Sequence, residues 1–136
     1  MKIFYQTTAT ATGGRNGTTT LDDGSLSFDL AIPNSGKTGA NPEQLFALGY
    51  AACFDSALNL TAKQMQLPLT KSRTSVQIGI GMVENGAYQL EANITVHISG
   101  LKQEEAQTLI EKTHLVCPYS NATRGNINVQ LTVITE

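Results

Sequence analysis

The stretch NPEQLFALGYAACFDSALNLTAKQM, Asn41 to Met65, constrains the fold most. It is the longest segment whose apolar residues recur at helical rather than strand spacing. Asn41 is a good N-cap, Pro42 suits the first helical position, and Gln44 lies three residues past the cap, the spacing of a capping box. Leu45, Leu48, Ala52, Phe54, Ala57 and Leu60 give wide apolar coverage, while Gly49, Ala51 and Ala52 leave the middle thin. The spacing predicts a helix from Pro42 to about Met65, largely buried, with strands or a second helix close against it.

The flanking sequence switches to period two. Phe4 to Ala11 alternates loosely, GGRNG (Gly13 to Gly17) punctuates it, and Thr18 to Leu21 favours strand. Asp22-Asp23-Gly24 is a turn signal, after which Leu26, Phe28, Leu30 and Ile32 share one side of a strand. This is a β-meander. Beyond Pro68, Ser72 to Met82 alternates around Val76, Ile78 and Ile80. Glu84-Asn85-Gly86 makes a hairpin, and Leu90, Ala92, Ile94, Val96 and Ile98 return on one face. A second helix is predicted over Lys102 to Val116, with Ala106, Leu109, Ile110 and Thr113 on one side and Glu104 and Glu105 near its start, where the dipole favours them. Ile127, Val129, Leu131 and Val133 close the chain as a strand. The order implies an α+β fold of antiparallel sheets with two main helices, in a single domain spanning residues 1–136. No βαβ run carries a glycine-rich phosphate loop, and GGRNG lacks a nucleotide fingerprint.

Composition narrows the partners. Nine Lys and Arg against eleven Asp and Glu give a net charge of −2, with no basic stripe, which argues against nucleic-acid binding. The start, MKIFYQTTATATGG, does not read as a secretory signal, and no uninterrupted apolar run approaches the ~18 residues of a membrane span. The expectation is a cytoplasmic protein without a membrane partner. Charged residues are only 15%, which fits a surface partly covered by another subunit.

Two cysteines remain to be explained. Cys53 lies inside the first helix and Cys117 at the end of the second. Their separation fits neither a tight redox motif nor a zinc site, although His97 and His114 exist as further ligands. A stable disulfide is disfavoured in the cytoplasm. Buried filler thiols and a reversible redox pair both stay open. The redox reading needs a thiolate, which needs positive charge nearby, and Arg15 and Arg124 sit in punctuated loops as candidates.

Three motifs in order, ATATGGRNG, NPEQLFALGYAACFDSAL and VCPYSNATRGNI, resemble the organic hydroperoxide resistance proteins, relatives of the osmotically inducible peroxidases. The resemblance runs along essentially the whole chain. It implies a thiol peroxidase of alkyl and fatty-acid hydroperoxides that is an antioxidant of the stress response. It implies Cys53 as the peroxidatic and Cys117 as the resolving cysteine, joined in a redox-active disulfide. Arg15 is implied as the arginine that activates the thiolate, and Glu43 as the carboxylate that orients it. It further implies an intertwined homodimer, no metal and no cofactor, and re-reduction by a dihydrolipoyl group or lipoylated protein. The loop before NPEQLF is shorter than in many relatives and has Ala40 where threonine is common. The alternative, from another class, is a redox-sensing or binding module without turnover.

Glu43 raises a geometric question. It is ten residues from Cys53, a rise of about 15 Å and a rotation of about 280° on one straight helix. Either the helix bends, near Gly49, or Glu43 serves the partner subunit's site, or Arg15 bridges part of the gap. Phe54, Phe46, Leu45, Leu58 and Met65 are candidates to line an apolar pocket, with plain core packing as the simpler reading. Tyr50 and Tyr119 are expected beside the site, and Asn121, Thr123 and Arg124 to brace the second cysteine's loop. Asp55 is not assigned to catalysis, because adjacent helical positions diverge. Motion of Val116 to Gly125 is expected between the reduced and disulfide forms.

Overall fold

The computed structural model describes Met1 to Glu136, which form two compact units, Met1–Leu45 and Phe46–Glu136. The first unit is a three-stranded antiparallel meander of β1 (Ala9–Thr12), β2 (Thr18–Leu21) and β3 (Ser27–Asp29). One turn of 3₁₀ helix, Gly14–Asn16, joins β1 to β2. Thr12 pairs with Thr18 across that turn, and Gly17 is required there because a Cβ would collide with the Thr12 carbonyl. The Asp22-Asp23-Gly24 turn forms as expected, with the Gly24 N–H donating to the Leu21 carbonyl at 2.8 Å.

Both early strands are shorter than their alternation suggests. Phe4 and Tyr5 lie outside β1 and are exposed. β3 ends at Asp29 because the backbone then bonds to Ala40, as Ala31 N–H to Ala40 O at 2.9 Å and Ala40 N–H to Asp29 O at 2.9 Å.

Helix α1 runs as one element over Pro42–Gln64. The capping box at its start is complete: the Gln44 N–H donates to Asn41 Oδ1 at 2.9 Å, and the Asn41 N–H donates to Gln44 Oε1 at 3.0 Å.

In the second unit, β4 (Lys71–Met82) and β5 (Tyr88–Ser99) form a long antiparallel hairpin. Helices α2 (Gln103–Val116) and α3 (Pro118–Thr123) follow, then β6 (Val129–Thr135). The sheet order is β4-β5-β6. β6 lies parallel to β5, from Ala92↔Val129 to Ile98↔Thr135, which corrects the expectation of antiparallel sheets throughout. The cause is the helical crossover. α2 and α3 carry the chain back along the sheet before β6 begins, so its strand enters in the direction of β5. Alternating residues mark a strand but not its direction.

The core gathers here. Tyr50, Phe54, Leu58 and Ala62 make one stripe of α1, and they pack in a single cluster with Ala92, Ile94, Val96 and Ile98 of β5 and Ala106, Leu109 and Ile110 of α2. Fully burying each large side chain of that stripe contributes about 1.5–3 kcal/mol. α1 is long and apolar enough by length and composition to cross a bilayer, but this stripe is the signature of a core helix. Its burial is narrower than its sequence suggests: Leu48 is 64% and Leu60 57% exposed, because the second unit covers only one side of it.

Candidate active site

Cys53 and Cys117 are brought together. They are 64 residues apart in sequence, and their Sγ atoms lie 3.8 Å apart as free thiols. Cys53 projects from α1 and is partly buried, whereas Cys117 is fully buried at the junction of α2 and α3. The junction is made by Pro118. Cys117 is extended, with φ −63° and ψ 124°, its N–H bonds back to the Thr113 carbonyl, and its own carbonyl accepts the Asn121 N–H. One residue therefore ends α2 and begins α3, with Pro118 in the first helical position where its missing N–H costs nothing.

The surroundings hold Cys53 in its protonated form. Burial pushes its thiol above the ordinary value and the neighbouring Cys117 adds to this, while the Tyr119 backbone N–H pulls the other way. Tyr119 sits tightly against α1. A Cβ on Gly49 would meet the Tyr119 hydroxyl oxygen at 2.5 Å, so Gly49 is the seat of this ring within α1. Phe46, Tyr50 and Tyr119 complete a three-ring cluster with centroids 5.5–5.9 Å apart.

In the first unit, Arg15 and Glu43 form a two-pronged pair. Arg15 Nη1 donates to Glu43 Oε2 at 2.7 Å and Nη2 to Oε1 at 2.6 Å. The pair is made within one chain. It stands at the water's edge, with side-chain exposures of 43% for Arg15 and 16% for Glu43. The hydrogen bonds from Arg15 hold the Glu43 carboxyl below the usual carboxylate range, and reciprocally hold Arg15 above its ordinary value.

The other expected residues divide. Phe54 and Leu58 are buried core, and Phe46 and Met65 pack against it. Leu45 lines a hollow of about 150 Å³ in the first unit with Leu21, Leu26 and Phe28. Arg124 braces rather than activates: its Nη2 donates to the His114 carbonyl at 2.8 Å and to Asn121 Oδ1 at 2.5 Å. Asp55 turns to β4, accepting from Ser72 Oγ at 3.1 Å and Thr74 Oγ1 at 2.9 Å. His97 pairs with Glu136 at 2.7 Å. Ser120 was not singled out by sequence, and His114 was considered only as a possible zinc ligand. They belong to a polar network between α1 and the α2–α3 junction, in which Tyr50 Oη lies 2.9 Å from Ser120 Oγ and 3.1 Å from Thr123 Oγ1, and Ser120 Oγ lies 2.8 Å from His114 Nδ1. A serine and a histidine six residues apart around a helix junction carry no sequence signature.

The second unit offers two thiols within reach of one another, and the first unit offers an oriented guanidinium. Comparison with known proteins gives the geometry a context. The profile of the OsmC-like protein family matches residues 34–132. The organic hydroperoxide resistance protein of Xanthomonas axonopodis pv. citri is 44% identical over 137 residues, covering 97% of this chain and 96% of the relative. A crystal structure of an organic hydroperoxide resistance protein from Elizabethkingia anophelis is 51% identical, with a TM-score of 0.95 and complete coverage of both chains. The OhrB structure from Bacillus subtilis is 42% identical, with a TM-score of 0.91 over 97% of this chain and 100% of that one.

Proposed function

Because the chain belongs to the OsmC-like family, among the organic hydroperoxide resistance proteins, we propose that it is a peroxidase working through Cys53 and Cys117. It is a thiol-dependent organic hydroperoxide reductase, and residues 1–136 act as one functional domain. The observation that carries this reading is the pair of free Sγ atoms 3.8 Å apart.

The reaction has three steps. The Cys53 thiolate attacks the terminal oxygen of an alkyl hydroperoxide. The S–O bond forms, the O–O bond breaks, and the alkoxide leaves and is protonated to the alcohol. Cys117 then attacks the sulfenic sulfur, forming S–S and expelling hydroxide, which takes up the proton Cys117 released and leaves as water. A dithiol, of the dihydrolipoyl type, reopens the bond by exchange and departs as its own disulfide.

Arg15 supplies what the thiols lack. Burial keeps Cys53 protonated, so an activating cation is required, and a guanidinium also steadies charge on the departing oxygen. Glu43 grips both Nη nitrogens of that guanidinium and fixes its direction. No metal or cofactor takes part, and the setting is a reducing cytoplasm. A second copy of the chain covers the exposed Leu48 and Leu60 in an intertwined homodimer. Sedimentation at micromolar concentration then gives a dimer, and a monomer would remove it.

Turnover of an alkyl hydroperoxide with lipoyl, thioredoxin and glutathione reductants, compared side by side, tests the assignment. Fast turnover with the lipoyl dithiol is expected. One oxidation event without turnover under any of the three would make the chain a redox sensor instead.

A further inference from the structure

The network of Tyr50, His114, Ser120 and Thr123 has a direction that can be counted. Four bonds are made: His114 Nδ1 with Ser120 Oγ, Ser120 Oγ with Tyr50 Oη, Tyr50 Oη with Thr123 Oγ1, and Thr123 Oγ1 with the Ser120 carbonyl. The carbonyl only accepts, so the Thr123 hydroxyl proton is committed to it. Tyr50 must then donate to Thr123, Ser120 to Tyr50, and His114 to Ser120. Four bonds have one consistent set of donors, and it requires the proton on Nδ1 of His114.

The members are buried. Tyr50 and Ser120 are at 0% exposure, Thr123 is at 5%, and no buried side-chain polar atom is left without a partner. Burying hydroxyls gives nothing that apolar groups of equal size would not, but satisfied bonds fix orientation where apolar packing allows slippage. What they orient is the resolving segment. Tyr50 is one helical turn before Cys53 on α1, and Ser120 is three residues after Cys117 in α3. The hydroxyl network and the thiol pair are thus neighbouring links between the same two segments.

We infer that Tyr50, acting through Ser120 and Thr123, is a positioning residue for the disulfide-forming step: it holds the α3 turn on α1 so that Cys117 stays within reach of Cys53. This rests on the peroxidase reading above. In the step concerned, the sulfur pair closes from 3.8 Å to about 2 Å as S–S replaces S–O and water leaves. A resolving thiol kept at near-contact distance reacts as an intramolecular nucleophile, and loosening α3 forfeits part of that advantage. A slower closure leaves the sulfenic acid exposed to a second peroxide, which takes it to sulfinic acid.

Quenched-flow mass spectrometry of the full chain, mixed with an alkyl hydroperoxide, measures peroxide capture, disulfide closure and over-oxidation together. Tyr50→Phe keeps the ring and deletes the hydroxyl, and Ser120→Ala deletes the central link. In each, the ratio of closure rate to capture rate falls about ten-fold and sulfinic acid per turnover rises in step. A ratio equal to the parent's in both variants, even with a lowered melting temperature, or a ratio that rises, overturns the inference. If Tyr50→Phe does not fold, Ser120→Ala decides alone. A parent chain that fails to capture the hydroperoxide overturns the peroxidase reading instead.

Discussion

Arg15 in the first unit and Cys117 in the second are both held by side chains distant in sequence, but by opposite means. Arg15 is gripped by a carboxylate at the surface, on a turn that Gly17 makes possible. Cys117 is held among neutral hydroxyls and rings from which water is excluded. An ion pair in water fixes direction at little cost and keeps its charge available. A buried network fixes distance. In the proposed reaction the two regions would serve different halves, charge for peroxide cleavage and proximity for disulfide closure.

The largest expected effect removes the charge. Arg15→Ala lowers kcat/KM for an alkyl hydroperoxide by about 10²–10³, the usual loss for a donor aimed at developing negative charge. Arg15→Lys restores little of it, since an ammonium cannot match the two-pronged grip of Glu43. Stopped-flow consumption of peroxide reads both. Parent-like rates in Arg15→Ala would dissolve the contrast between the regions.

A smaller effect concerns the buried side. Alanine replacing glycine inside an exposed helix normally stabilises by about 1 kcal/mol. At Gly49 the sign reverses, because the new Cβ meets the Tyr119 hydroxyl. Gly49→Ala is expected to cost about 1–3 kcal/mol in denaturant unfolding, the range for overpacking. A stabilised variant would show that Tyr119 is free to move aside.

The smallest effect sharpens the surface side. Arg15 lowers the folded-state pKa of Glu43, so the pair's contribution to stability is present above the ordinary carboxylate pKa and is lost as pH falls through the folded value. The stability difference between the parent and Glu43→Gln is therefore expected to shrink on acidification below pH ~4. Since the Arg15 side chain is well exposed, the difference is modest throughout and weakens with salt. A difference that grows in acid would contradict the pairing.

Much of this was legible in the residues. The capping box at Asn41, the inward face of β5 and the stripe of α2 followed from local spacing, because each is dictated by near neighbours in sequence. Arg15 and Glu43 were recognised through motif resemblance, and the structure joins them in one ion pair. The direction of β6 was not legible, since alternation is the same for parallel and antiparallel neighbours. Ser120, and the bond that His114 makes to it, were missed for a related reason. Their role depends on Tyr50, 70 residues before Ser120, and no period in a sequence reports such a contact. Gly49 was read as thinness or a bend. Its meaning came from the ring of Tyr119, which only the fold brings there.

The central claim is that Cys53 and Cys117 are the two reacting thiols of one cycle. The most direct measurement treats the reduced chain with one equivalent of an alkyl hydroperoxide and maps the products by mass spectrometry, with Cys53→Ser and Cys117→Ser in parallel. The account predicts one Cys53–Cys117 disulfide per chain in the parent, a trappable sulfenic acid on Cys53 in Cys117→Ser, and unconsumed peroxide with Cys53→Ser. Peroxide consumed by Cys53→Ser as fast as by the parent, or a parent left with both thiols free and its peroxide gone, would contradict it.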